Sequence, residues 1–112
     1  MGKATAEQKA KAAEIESWAV AALAPVADIT TKKMFGGYGI FGNGVMFAMV
    51  TSAAELHLRA GPDHQARYEA AGSHRHGRMP YWSVPSAVTE DLDTLVAWAT
   101  DALATSQAAK SR

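Results

Sequence analysis

Apolar residues in the first part of the chain fall at helical spacing. Ile15, Trp18, Ala19, Ala22 and Leu23 line one face, with Lys9, Lys11, Glu14 and Glu16 on the wetter side. Thr5-Ala6-Glu7-Gln8 just upstream fits a capping box, in which the hydroxyl accepts an orphan backbone N–H and the glutamine reaches back. Pro25 biases Ala24 away from helical angles, so the helix is expected to stop there.

From Ile29 to Ala60 the period becomes strand-like. "ITTKKMF" is β-branched and half polar, "YGIF" and "VMFAMV" are apolar, and "ELHLRA" alternates Leu56 and Leu58 with Glu55, His57 and Arg59. Asn43-Gly44 is a strong hairpin signal, because a type I′ turn needs positive φ at both central residues. With "TSAA" as the next short connection, the second to fourth of these segments predict an antiparallel meander. The alternation in the fourth puts one sheet face in the core and leaves the face of His57 at least partly wet.

Gly61-Pro62-Asp63 breaks the sheet, and Asp63 is placed to cap a short helix, "HQARYEAA", that ends at Gly72. "SHRHGR" reads as a polar loop, and "MPYWSVP" as one more strand, at an edge because of Pro80. A last helix, about residues 91–104, places Leu92, Leu95, Val96, Ala99 and Leu103 on one face. Trp18, Trp82 and Trp98 are expected to build the core from both terminal helices and the last strand. The order α-β-β-β-β-α-β-α predicts an α+β fold, with helices flanking an antiparallel sheet of about five strands. One domain is expected over residues 1–112, with an ordered core at about 5–104 and a polar, frayed tail at 105–112.

Gly37-x-Gly39-x-x-Gly42 has the form of a dinucleotide fingerprint. That motif works because its last glycine opens a helix inside a parallel βαβ unit, whereas here Asn43-Gly44 and another strand follow. The glycines are therefore read as serving turns, a bulge or close backbone approach, and no cofactor is expected.

The chain has 112 residues, no cysteine and zero net charge. Disulfides, thiolate metal sites and thiol catalysis are excluded. No window approaches the roughly 18 consecutive apolar residues of a membrane span, and the charged N-terminal segment does not resemble a signal peptide, so no membrane association and a cytoplasmic location are expected. Residues 56–82 hold all four histidines and an excess of arginine.

That segment carries the candidate chemistry. His57, His74 and His76 are candidate ligands for nickel, copper or zinc, although no regular spacing or evident carboxylate accompanies them. Lys32, Lys33, Arg59, Arg75 and Arg78 are candidates for a basic patch that contacts a partner or nucleic acid, with Tyr81 and Trp82 as stacking surfaces. Zero net charge argues against bulk electrostatic binding to nucleic acid. No G-x-S-x-G elbow is present, and Glu90, Asp91 and Asp93 read as favourable charges at a helix start.

"MFGGYGIFGNGVMFAMV", followed by "LHLRA", "RYEAAG", "GRMPYWSVP" and "LDTLVAWATDAL", resembles the TfoX N-terminal domain family from about Lys33 to Leu103. That family is named after the TfoX/Sxy regulators of bacterial natural competence. The resemblance implies a curved antiparallel sheet akin to secretion-chaperone-like domains. It also implies a regulatory role, of the N-terminal domain only, since the competence regulators carry a second helical domain without a counterpart in this sequence. No catalytic motif transfers. Met34, Phe35, Gly36, Gly37, Tyr38 and Gly39, with Tyr81, Val84 and Pro85, match signature positions and are expected to determine the fold. The resulting expectation is a non-enzymatic regulatory domain that binds a protein partner or itself. Direct nucleic-acid binding and a metal- or small-ligand-binding module are the alternatives.

Overall fold

The structure is a computed structural model and describes residues 6–110. The capping box therefore rests on a residue, Thr5, outside the described ones. The elements are α1 (Ala6–Leu23), β1 (Ile29–Met34), β2 (Gly37–Gly42), β3 (Val45–Val50), β4 (Leu56–Arg59), α2 (Pro62–Ala70), β5 (Tyr81–Ser83), α3 (Ser86–Thr89) and α4 (Leu92–Lys110). The five strands form one antiparallel sheet in the order β1-β2-β3-β4-β5, which leaves β1 and β5 as its edges. This is the α+β arrangement that the hydrophobic pattern predicts, with the four-residue α3 added after Pro85.

Turn chemistry fixes the meander. Asn43 and Gly44 both take positive φ, 51° and 85°, as a type I′ hairpin requires. Asn43 also secures the start of β1: its N–H donates to Asp28 O at 3.0 Å, and its Oδ1 accepts from Asp28 N–H at 3.1 Å. The register shifts between Ile40 and Phe41, whose partners are Ala48 and Met46, so the bulge lies in β3 at Phe47 and not among the glycines of β2.

The core lies between the sheet and the two long helices. α1 packs on β1, β2 and β3, while α4 packs on β3 and β4 and touches α1. Ile40, Phe47, Ala48, Val50 and Leu58 from the sheet meet Ala19, Leu23, Leu95 and Ala99 from the helices. α2 is held to α4 by Arg67, whose guanidinium lies 4.4 Å from the Trp98 ring centroid and pairs with Asp101 at 3.0 Å. Tyr68 is fully buried edge-on to the same ring.

Four local expectations change. Asp63 lies in the first turn of α2, but Gly61 is the cap residue and no side chain caps the helix. Leu92 and Trp18 are exposed rather than in the core, Leu92 because it opens α4 at the rim of the fold. The last helix does not end near Ala104 but runs to Lys110. Its extension packs through small residues: Ser106 is buried with its hydroxyl donating to Ala102 O, and a Cβ at Gly61 would lie 3.2 Å from Thr105 Cγ2. Alanine-rich sequence favours helix without a large apolar side chain, so the missing hydrophobic signal does not end it.

Candidate functional site

Two places in this fold combine chemistry with access, one at each side of the sheet. The first is built on β4, β5 and the segment between α2 and β5. His57 of β4 stands in register with Ser83 of β5. The chain after α2 turns back along β5: His76 N–H donates to Tyr81 O, Ser83 N–H donates to His74 O, and Arg75 bridges Trp82. This return brings the His74 and His76 rings edge-on to His57, with centroids 5.5 and 5.4 Å away. The three candidate histidines are thus neighbours.

His57 is fully buried, not on a wet face. Its Nδ1 lies 3.4 Å from Glu55 O, and its Nε2 is buried with no hydrogen-bond partner among the described residues. Burial pushes the imidazole down to about 4, against a smaller upward pull from the Glu55 carbonyl and carboxylate. His57 is therefore neutral at pH 7.

Glu55 is the carboxylate missing from the sequence reading. It sits two residues before His57, just ahead of β4, with its carboxylate within 4.8 Å of a ring nitrogen of His57, and its Oε1 lies 2.9 Å from His74 Nε2. The other nitrogen of His74 lies 3.3 Å from Ser83 Oγ. Ser83, His74 and Glu55 thus share the connectivity of a serine relay. The amides that would have to stabilise an oxyanion there are already used, Ser83 N–H by His74 O and Val84 N–H by Leu56 O. A groove of about 490 Å³ beside these residues is lined by Ile15, Trp18, Leu56 and Val84.

The basic candidates are not brought together. Lys32 and Lys33 lie on edge strand β1, whereas Arg59 is on β4 and Arg75 and Arg78 lie beside β5, across the sheet. Arg75 donates to the carbonyls of Met79 and Arg78, so its guanidinium closes its own loop. Tyr81 and Trp82 are buried and offer no stacking face, because β5 is covered rather than open. The expected patch with aromatic platforms is corrected to two separate groups of charges.

The second place is the turn joining β1 to β2. Phe35 has a φ of 53° and Gly36 of 77°, again the type I′ pattern. Phe35 is 79% exposed, so among the signature residues it does not serve the core. Left-handed φ is unusual for a bulky side chain and costs about 1 kcal/mol or more. Beside this turn lies a groove of about 650 Å³ with Ala12, Ala13, Met34 and Tyr38 on its walls and Lys9 and Lys33 among the lining residues. The reading of "ITTKKMF" as one half-polar strand does not set Phe35 apart from β1. The only signal is Gly36-Gly37 immediately after it.

Among the described residues no helix is long and apolar enough to cross a membrane. No curated protein matches the sequence. The family model of the TfoX N-terminal domain matches residues 21–106, from the end of α1 to the buried part of α4 and across every strand, and the chain belongs to the TfoX N-terminal domain family.

Proposed function

We propose that this protein is a non-enzymatic regulatory domain, of the competence-regulator type that its family name implies, and that it acts by docking a protein partner at the β1–β2 turn. The observation that carries this reading is Phe35: a large aromatic, almost wholly exposed, held at a backbone angle that favours glycine or asparagine. The backbone angle weakens the free domain while the exposed ring contributes little to folding, and contact with a partner gains by burying the ring. Exposed aromatics beside a concave apolar surface have the composition of binding hot spots. Lys32 and Lys33 on the adjoining strand and Lys9 at the groove suit a partner segment with acidic residues around an apolar anchor. The side of β1 that has no strand partner among the described residues also offers backbone groups to an added strand.

Site-specific photocrosslinking in the native cell tests the location. A photoreactive residue at position 35 or 32 is expected to give one discrete protein adduct, absent when the residue replaces exposed Glu69 on α2. An adduct of twice the chain's mass identifies a second copy as the partner. Equal adducts from position 69, or none from position 35, would overturn the reading.

A further inference from the structure

Away from Phe35, on the β4–β5 side of the sheet, Glu55, His57 and His74 form a set that the regulatory reading does not use. A carboxylate oxygen and one nitrogen from each ring lie within 4.8 Å of one another. Ligand atoms arranged tetrahedrally at about 2.1 Å from a metal stand about 3.4 Å apart, so the set must contract by about 1.4 Å at most. His74 and Glu55 are exposed side chains with room to do this. His57 is the fixed member, fully buried on a paired strand.

We propose that Glu55, His57 and His74 bind a first-row divalent metal ion, of the zinc, nickel or copper class. Two imidazoles and a carboxylate are the donor set these ions favour over magnesium or calcium. The buried, unpartnered Nε2 of His57 points to the ligand independently of the cluster itself. A buried ring nitrogen without a partner is costly in a folded protein, and a metal bond satisfies it. The surroundings match the outer contacts of metal-binding histidines. The Glu55 carbonyl is positioned to accept from His57 Nδ1–H, which leaves the Nε2 lone pair free. Ser83 Oγ can accept from His74 Nδ1–H, so that Nε2 of His74 exchanges its contact with Glu55 for the metal. Three protein donors leave a fourth position for water or a further ligand, and Glu55 and His74 line the groove together with Trp18, Leu56 and Val84. His76 flanks His57 without joining the set.

The test is calorimetric titration of the chelator-treated full chain with zinc and nickel, together with copper electron paramagnetic resonance. Saturable binding at one ion per chain is expected, with hyperfine coupling from two nitrogens. His74→Ala and Glu55→Gln change exposed side chains and should fold normally by circular dichroism. Each is expected to weaken binding at least about tenfold, and His74→Ala to remove one nitrogen from the spectrum. His64→Gln, on α2 beside Asp101, should leave both readouts unchanged. Absence of saturable binding in the wild type, or unchanged affinity in His74→Ala, would overturn the proposal. Neither result bears on Phe35, so this site and the partner-docking turn stand or fall separately.

Discussion

Gly37→Ala is expected to destabilise the domain by more than about 3 kcal/mol, which lowers the melting temperature by roughly 10–20 °C. A Cβ at this position would stand 1.9 Å from Val50 O, 2.9 Å from Thr51 C and 3.0 Å from Val50 C. All three atoms are backbone, so no rotamer change relieves the overlap. Val50 is fully buried at the end of β3. Thr51 closes the next turn, its N–H donating to Glu55 O and its hydroxyl accepting from Glu55 N–H. Moving that backbone disturbs the Tyr38–Val50 pairing, the β3–β4 turn and the position of Glu55. Gly39→Ala is a sharp contrast, since its close neighbours are the flexible ends of Met34 and Met46. Gly44→Ala meets nothing within 4 Å and bears only the strain of φ +85°, about 1 kcal/mol. Chemical denaturation of the three variants checks the order, and a Gly37→Ala protein within about 1 kcal/mol of wild type would contradict the close-approach role.

Acid is expected to weaken the metal-free fold through His57. The folded imidazole is held down at about 4 by burial, while the unfolded one returns to its ordinary 6.5. Below pH 6.5 the unfolded chain takes up a proton that the folded chain refuses. The stabilisation from a neutral His57 is therefore complete above pH 6.5 and lost as the pH falls through 4, on the order of 3 kcal/mol in all. Glu55, His74 and His76 face this ring, and protonation of the two neighbouring histidines adds to the cost of charging it. Urea melts at pH 7.0, 5.5 and 4.5 should show the loss in wild type. His57→Leu, which fits a dry position, should show a shallower slope than wild type. Equal slopes in the two proteins would remove His57 as the source.

The period-2 alternation, the Asn43-Gly44 turn and the stop before Pro25 are local features, and for that reason the meander and the first helix were legible in the sequence. The glycine fingerprint lost its nucleotide meaning on the same local ground, the strand that follows Gly42. The site was less legible. His57 alternates with Leu56 and Leu58 as a solvent-facing residue does, and only the return of residues 74–76 along β5 encloses it. Glu55 became a candidate ligand through that same return. The basic residues looked like one patch because sequence order does not say which strands are opposite edges. Phe35 reads as the last residue of the strand "ITTKKMF" and as a fold-determining signature residue, and turn geometry places it in solvent. The tail reads as frayed because alanine and serine carry little hydrophobic signal, yet small side chains let α4 continue close against Gly61.

Partner docking at the β1–β2 turn is tested most directly by Phe35→Asn, with stability and partner binding measured on the same preparation. Asparagine accepts the left-handed turn and removes an exposed ring that contributes little to folding. The variant is expected to be more stable than wild type by about 1 kcal/mol, while binding to the partner captured at position 35 weakens by at least tenfold, about 1.4 kcal/mol. A Phe35→Asn protein that is as stable or more so, and binds that partner as tightly as wild type, would contradict the assignment.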